Sequence, residues 1–181
     1  MAKNTKGSYD IQSILTEMRE EYWQGLAETE DVQEERLECI TFSLGGEIYA
    51  FESVYAAEVI RIPKLVRLPK VQDVIVGVFN LRGGIMAAID IRHLLGVPQM
   101  PITAAGRIIV LKSEKFSTGL VAEGVTGVES LSVDNFEPAV KSLTGVQREF
   151  IRGQISSDGR LIMLLDIPKL MMSPEIIVNH Q

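Results

Sequence analysis

The chain has almost no cysteine, no long apolar run and no excess of positive charge, and each lack removes a class of function. One cysteine in 181 residues, Cys39, excludes an internal disulfide, and no other ligand type stands at metal-binding spacing from it. No apolar run approaches the roughly 20 residues of a spanning helix. The opening Met-Ala-Lys-Asn-Thr-Lys-Gly leads into polar residues, so neither a secretory signal nor membrane insertion is expected, and the cytoplasm is the default location. A net charge of −6 argues against nucleic acid, which is held by clustered Lys and Arg. Signatures of catalysis are missing as well: there is no Gly-x-Ser-x-Gly elbow, phosphate loop or paired-cysteine pattern. Asp90 and Asp166 resemble an acid/base pair, but each precedes a short apolar helical turn that it can cap. His93 and His180 have no nucleophile or second ligand nearby in sequence. The chain reads as a non-enzyme without cofactor or metal.

The charge that is present is unevenly spread. Residues 1–37 carry four cations against nine carboxylates, which leaves the remainder close to neutral. Within this acidic extension Ile11, Ile14, Leu15, Met18, Tyr22 and Leu26 recur every three or four residues, as the stripe of an amphipathic helix capped by Ser8 or Asp10. Glu28 to Arg36 then reads as a solvated linker.

After residue 37 the pattern changes to short Val- and Ile-rich segments punctuated by glycine, the mark of small β-barrels. Cys39 to Leu44 alternates up to a Gly45-Gly46 turn, which sets Phe42 across from Tyr49 and Ile40 across from Phe51 on one buried face. Cys39, Thr41 and Ser43 take the other face. An internal repeat with an offset of 76 residues aligns Ile75 to Leu95 with Ile151 to Met171, each a strand, tight hairpin, strand and short helix. Upstream, Ile40, Phe42 and Phe51 lie over Ile108, Val110 and Leu120. The predicted fold is all-β, with two pseudo-symmetric five-stranded barrels plus an N-terminal helix. The expected divisions are an extension over 1–37, a body over 38–172 split into 38–90 and 91–166 with a C-terminal helix over 167–172, and a tail over 173–181. Two barrels in contact would leave a groove for a partner segment.

One hairpin tip stands apart. Asn80-Leu81-Arg82-Gly83 carries a guanidinium where the repeat-related tip, Ser156-Ser157-Asp158-Gly159, carries a turn former. Arg82 reads either as a solvated loop charge or as a contact residue, since arginine is enriched where proteins meet. Glu58 is a lone charge in an apolar stretch. Pro63 and Pro69 keep Lys64 to Leu68 extended. A tandem-barrel nucleic-acid module and an enzyme working near His93 or Asp90 remain rival readings.

Gly77-Val78-Phe79-Asn80-Leu81-Arg82-Gly83, followed by a strand ending Ile89-Asp90-Ile91-Arg92, resembles the CheW coupling-protein family, and the likeness extends from about Glu38 to Met171. The resemblance implies two SH3-like barrels, no catalysis, and two partners: the cytoplasmic tip of a chemoreceptor and the regulatory domain of a CheA-type histidine kinase. Carried over by position, Glu58, Arg82 and Ala56 fall where the family contacts its partners, with Asn80, Leu81 and Gly83 beside them. Gly77, Ile108 and Gly119 fall where its binding surfaces are shaped. Gln72 and Ala87 stand where the family often has proline. The pathway served, flagellar chemotaxis or surface motility, is left open by the resemblance.

Overall fold

The computed structural model describes residues 19, 35–139 and 145–177, so the amphipathic stripe from Ile11 to Leu26 lies outside them. Eleven strands follow in order: β1 (Arg36–Leu44), β2 (Glu47–Glu52), β3 (Ala56–Arg61), β4 (Ile75–Leu81), β5 (Gly84–Ile89), β6 (Arg107–Lys112), β7 (Ser117–Ala122), β8 (Gly124–Ser132), β9 (Phe136–Pro138), β10 (Ile151–Ser157) and β11 (Arg160–Leu165). Two one-and-a-half-turn helices complete them, α1 (Gly145–Phe150) and α2 (Ile167–Met172). Among the described residues no helix is long and apolar enough to cross a membrane.

The first hairpin forms as its alternation dictates, with Phe42 paired to Tyr49 and Ile40 to Phe51. The Phe42 and Phe51 rings meet edge-on at 5.8 Å, and all four side chains are buried. Cys39 takes the opposite face, which is also buried, among Ala50, Leu131, Ile155, Ile162 and Leu164. Burial pushes its thiol up to about 11, with Glu52 adding to the rise, so the sulfur stays protonated and enclosed. A maleimide or disulfide reagent should leave Cys39 unlabelled in the native protein at pH about 8 and label it fully in denaturant; rapid native labelling would show that this face opens.

The 76-residue repeat is visible in the backbone. β4–β5 and β10–β11 are hairpins with the same register shift, after Ile75 and after Ile151. Their tips are equivalent two-residue turns: Arg82 (φ 50) and Gly83 (φ 89) in one, Asp158 (φ 50) and Gly159 (φ 73) in the other. At the shifted position another segment crosses closely. A Cβ on Gly153 would lie 2.3 Å from the Glu137 carbonyl oxygen, and one on Gly77 would lie 2.9 Å from that of Val66.

The two repeats do not each close a barrel of their own. One sheet has the order β8-β1-β2-β11-β10-β9 and the other β3-β6-β7-β5-β4. Each therefore combines the first hairpin of one repeat with the later strands of the other, and a division near residue 90 is replaced by an exchange. The repeats join at the parallel pairs β2–β11 and β5–β7 and at the antiparallel pairs β1–β8 and β3–β6, and β7 runs through Glu123 alone into β8 of the other sheet. Each sheet wraps its own cluster: all six strands of the first contribute to the one around Cys39, and all five of the second to one around Phe79, Ala88, Ile108, Val110 and Val121. Where the two sheets face each other the described residues form a shared core. Phe42, Leu44, Tyr49 and Phe51 from one side and Ile89, Ile109, Leu111 and Leu120 from the other belong to one continuous buried cluster, so separating the barrels would expose the largest apolar surface in the molecule.

Candidate partner-binding surface

Asn80, Leu81, Arg82 and Gly83 form the β4–β5 tip. The Asn80 side-chain oxygen accepts the Gly83 backbone N–H at 3.0 Å and steadies the turn. Arg82 occupies the left-handed position that asparagine, aspartate or glycine fill at least cost, and an arginine there carries a conformational penalty of order 1 kcal/mol. Its counterpart Asp158 is the residue that geometry alone favours. What Arg82 does instead is reach across the ends of its sheet, since β3 and β4 are the two outermost strands. Its guanidinium holds Glu58 of β3 in a bidentate pair, Nη1 to Oε1 and Nη2 to Oε2, both at 2.9 Å. Glu58 shares a strand face with Ile60, which packs into the barrel interior, and the pair links the two edge strands of the sheet.

The other barrel has the same device with a different exposure. Arg160, at the β10–β11 tip, pairs with Glu129 of β8 at 2.7 Å, and Thr41 donates to Glu129 at 2.6 Å. Those bonds, the arginine first and the hydroxyl second, hold the Glu129 carboxyl below the usual carboxylate range. A depressed carboxylate contributes stability above its unfolded pKa, and that contribution fades as pH falls through the folded value. A Glu129→Gln variant should therefore unfold at lower urea than the parent at neutral pH, with the gap closing below pH about 4. A gap independent of pH would contradict the assignment. The Arg160 side chain is 34% exposed, whereas that of Arg82 is 77% exposed while making two hydrogen bonds. Of the two repeat-related tips, the β4–β5 tip thus presents its guanidinium further outward, with Ile85, 73% exposed, across the ladder from Asn80.

The remaining predicted site residues separate from this point. Ala56 begins β3, half-buried against the central core. Ile108 is fully buried, and a Cβ on buried Gly119 would lie 2.6 Å from its Cγ2 and 2.8 Å from the Phe79 ring. Gly77 is buried against the crossing Val66 backbone. Ile108, Gly119 and Gly77 are thus buried within the barrel that carries Arg82 and are not part of its exposed surface.

A buried polar node escaped the sequence. Arg92, 4% exposed, binds both oxygens of Asp90 and reaches Glu123 at 2.7 Å and the Met100 carbonyl at 2.6 Å. Glu123 also accepts the Gly45 backbone N–H at 3.1 Å. Asp90 thus serves an ion pair as well as the turn after it, while Asp166 caps α2 by accepting the Lys169 N–H at 3.1 Å. The signal was a second charge, two residues after Asp90, inside an apolar segment.

A CheW-like domain family model matches residues 38–175. The Chemotaxis protein CheW of Klebsiella aerogenes is 30% identical over 139 residues, covering 77% of this chain and 84% of the relative. Protein PilI of Pseudomonas aeruginosa is 27% identical over 142 residues, covering 78% of this chain and 75% of the relative. Among solved structures, the scaffolding protein TtCheW from Thermoanaerobacter tengcongensis superposes with a TM-score of 0.69 at 23% identity, covering 78% of this chain and 96% of that one.

Proposed function

Because the chain belongs to the CheW-like domain family, we propose that it is a non-catalytic coupling adaptor of bacterial chemotaxis, acting in the cytoplasm. In this reading it holds the cytoplasmic tip of a chemoreceptor and the regulatory domain of a CheA-type histidine kinase in one assembly. The observation that carries it is Arg82: an exposed guanidinium kept in a costly backbone conformation and aimed by Glu58. A pre-oriented arginine beside an exposed aliphatic residue is the composition of an interface anchor. Individual contacts can be weak, since joining many adaptors in an array raises their effective concentration for one another.

Isothermal titration of the full chain with a receptor cytoplasmic fragment, and separately with the kinase regulatory domain, tests the reading. Both should bind, and saturation with one should leave binding of the other intact. Failure of both, or full competition between them, would overturn it. A second reading, an adaptor of a surface-motility pathway, draws on the likeness to Protein PilI, a relative of similar coverage that does not bear the chemotaxis name.

A further inference from the structure

Between Glu58 and Asp73 the chain carries four cations and no carboxylate: Arg61, Lys64, Arg67 and Lys70, one at every third position. All four are exposed, while Ile62, Pro63 and Leu65 between them are half-buried. Pro63 holds φ fixed near the start of the segment, Val66 ties its middle to β4 through two 2.8 Å backbone bonds with Val78, and Pro69 and Lys70 (φ 58) turn the chain at its end. A fifth cation joins from the neighbouring strand, because the β3–β6 register sets Arg107 directly opposite Arg61. Like charges facing each other across a ladder are unfavourable. No carboxylate relieves them: the Arg107 guanidinium donates to the carbonyls of Ala104, Ala105 and Gly106 at 3.1, 3.0 and 2.7 Å. Among the described residues none of the four strip cations is in an ion pair, whereas Arg82, Arg92, Arg152 and Arg160 each hold a carboxylate. A cavity of about 480 Å³ opens beside Arg61 and Arg107, and one of about 250 Å³ beside Arg67 and Leu68, with Asp73 the carboxylate in its wall.

We propose that Arg61, Lys64, Arg67, Lys70 and Arg107 form a docking strip for a short acidic peptide segment of a protein partner. The strip is separate from the Arg82 surface and does not depend on the adaptor reading. Val66, 54% exposed, and Leu68, 42% exposed, interrupt the cations with aliphatic surface, which suits carboxylates alternating with apolar side chains. An extended polyanion is disfavoured twice. The net charge of −6 repels a duplex or an anionic bilayer, whose charge continues past the strip; a short segment lies within about one Debye length, roughly 8 Å, of the cations alone. Residues 59–72 also contain no aromatic ring to stack bases or sit at a lipid interface.

From Arg61 to Arg67 an extended chain spans about 20 Å, so a labelled Glu-Glu-Leu repeat peptide of about nine residues covers it. Titrated into the full chain and followed by fluorescence anisotropy, this probe should bind saturably and weaken as salt rises. Reversing two charges, Lys64→Glu with Arg67→Glu, should weaken it on the order of tenfold. Lys64→Gln with Arg67→Gln should fall between, while Lys115→Gln, in the exposed β6–β7 turn, leaves the affinity unchanged and a Gln-Gln-Leu peptide fails to bind. The proposal is overturned by absence of saturable binding at low salt, by equal binding of the glutamine peptide, or by a charge-reversed protein that folds and binds as the parent does. Tighter binding to a DNA duplex or to phosphatidylserine vesicles than to the peptide also overturns it.

Discussion

Arg82→Asn should keep the fold and lose the partners. Asparagine followed by Gly83 is the favoured pair for a two-residue hairpin turn with both φ values positive, so the substitution relieves the strain at φ 50. It also removes the ion pair to Glu58. Pairs this exposed contribute about 0–1 kcal/mol, so the two changes nearly offset each other and the urea midpoint should move by the equivalent of less than about 1 kcal/mol. Binding responds differently. An arginine anchor at the centre of an interface is worth about 2 kcal/mol or more, so affinity for receptor fragment or kinase domain should fall on the order of thirtyfold. Affinity within about threefold of the parent would remove Arg82 from the contact surface. The pairing of outcomes is what discriminates, since a residue present only to link the two edge strands would cost stability and spare binding.

Arg92→Ala should be the most damaging single substitution at a polar site. It leaves the Asp90 carboxylate, 6% exposed, and half of the Glu123 contacts without a cation. Breaking a buried pair from one side costs about 3–5 kcal/mol, a large share of the 5–15 kcal/mol that typically holds a domain folded. In urea, with a slope of about 1–3 kcal/mol per molar, the midpoint should drop by at least about 1 M. The double variant Asp90→Asn with Arg92→Gln should recover part of the loss, because it removes the Asp90 charge that Arg92→Ala leaves buried. An Arg92→Ala midpoint equal to that of the parent would show that water, not Arg92, solvates Asp90.

What was legible in the sequence was local. Alternation from Cys39 to Leu44 and the Gly45-Gly46 turn specify the first hairpin, and the 76-residue offset specifies two matching hairpins with their shifted glycines. The exchange of strands was not legible. A repeated pattern presents the same apolar face twice, so β1 suits the third strand of either copy, and only the single-residue link through Glu123 commits β7 to run on into β8. Arg82 showed itself by contrast with Asp158, and Glu58 by its charge among apolar neighbours. That the two meet required the sheet to bring β3 and β4 together. Ile108 and Gly119 alternate into the barrel interior, a placement fixed by the β6–β7 register. The cationic strip was hidden by its surroundings: totals over a nearly neutral body average away four charges at a spacing of three.

The proposed function requires one chain to hold two partners at once. Its most direct test mixes a chemoreceptor cytoplasmic fragment, assembled on vesicles, with CheA-type kinase and sediments the mixture with and without the chain. The kinase should pellet with the receptor when the chain is present, and should stay in the supernatant both without it and with the Arg82→Asn variant. Kinase that pellets equally well in the absence of the chain would contradict the account.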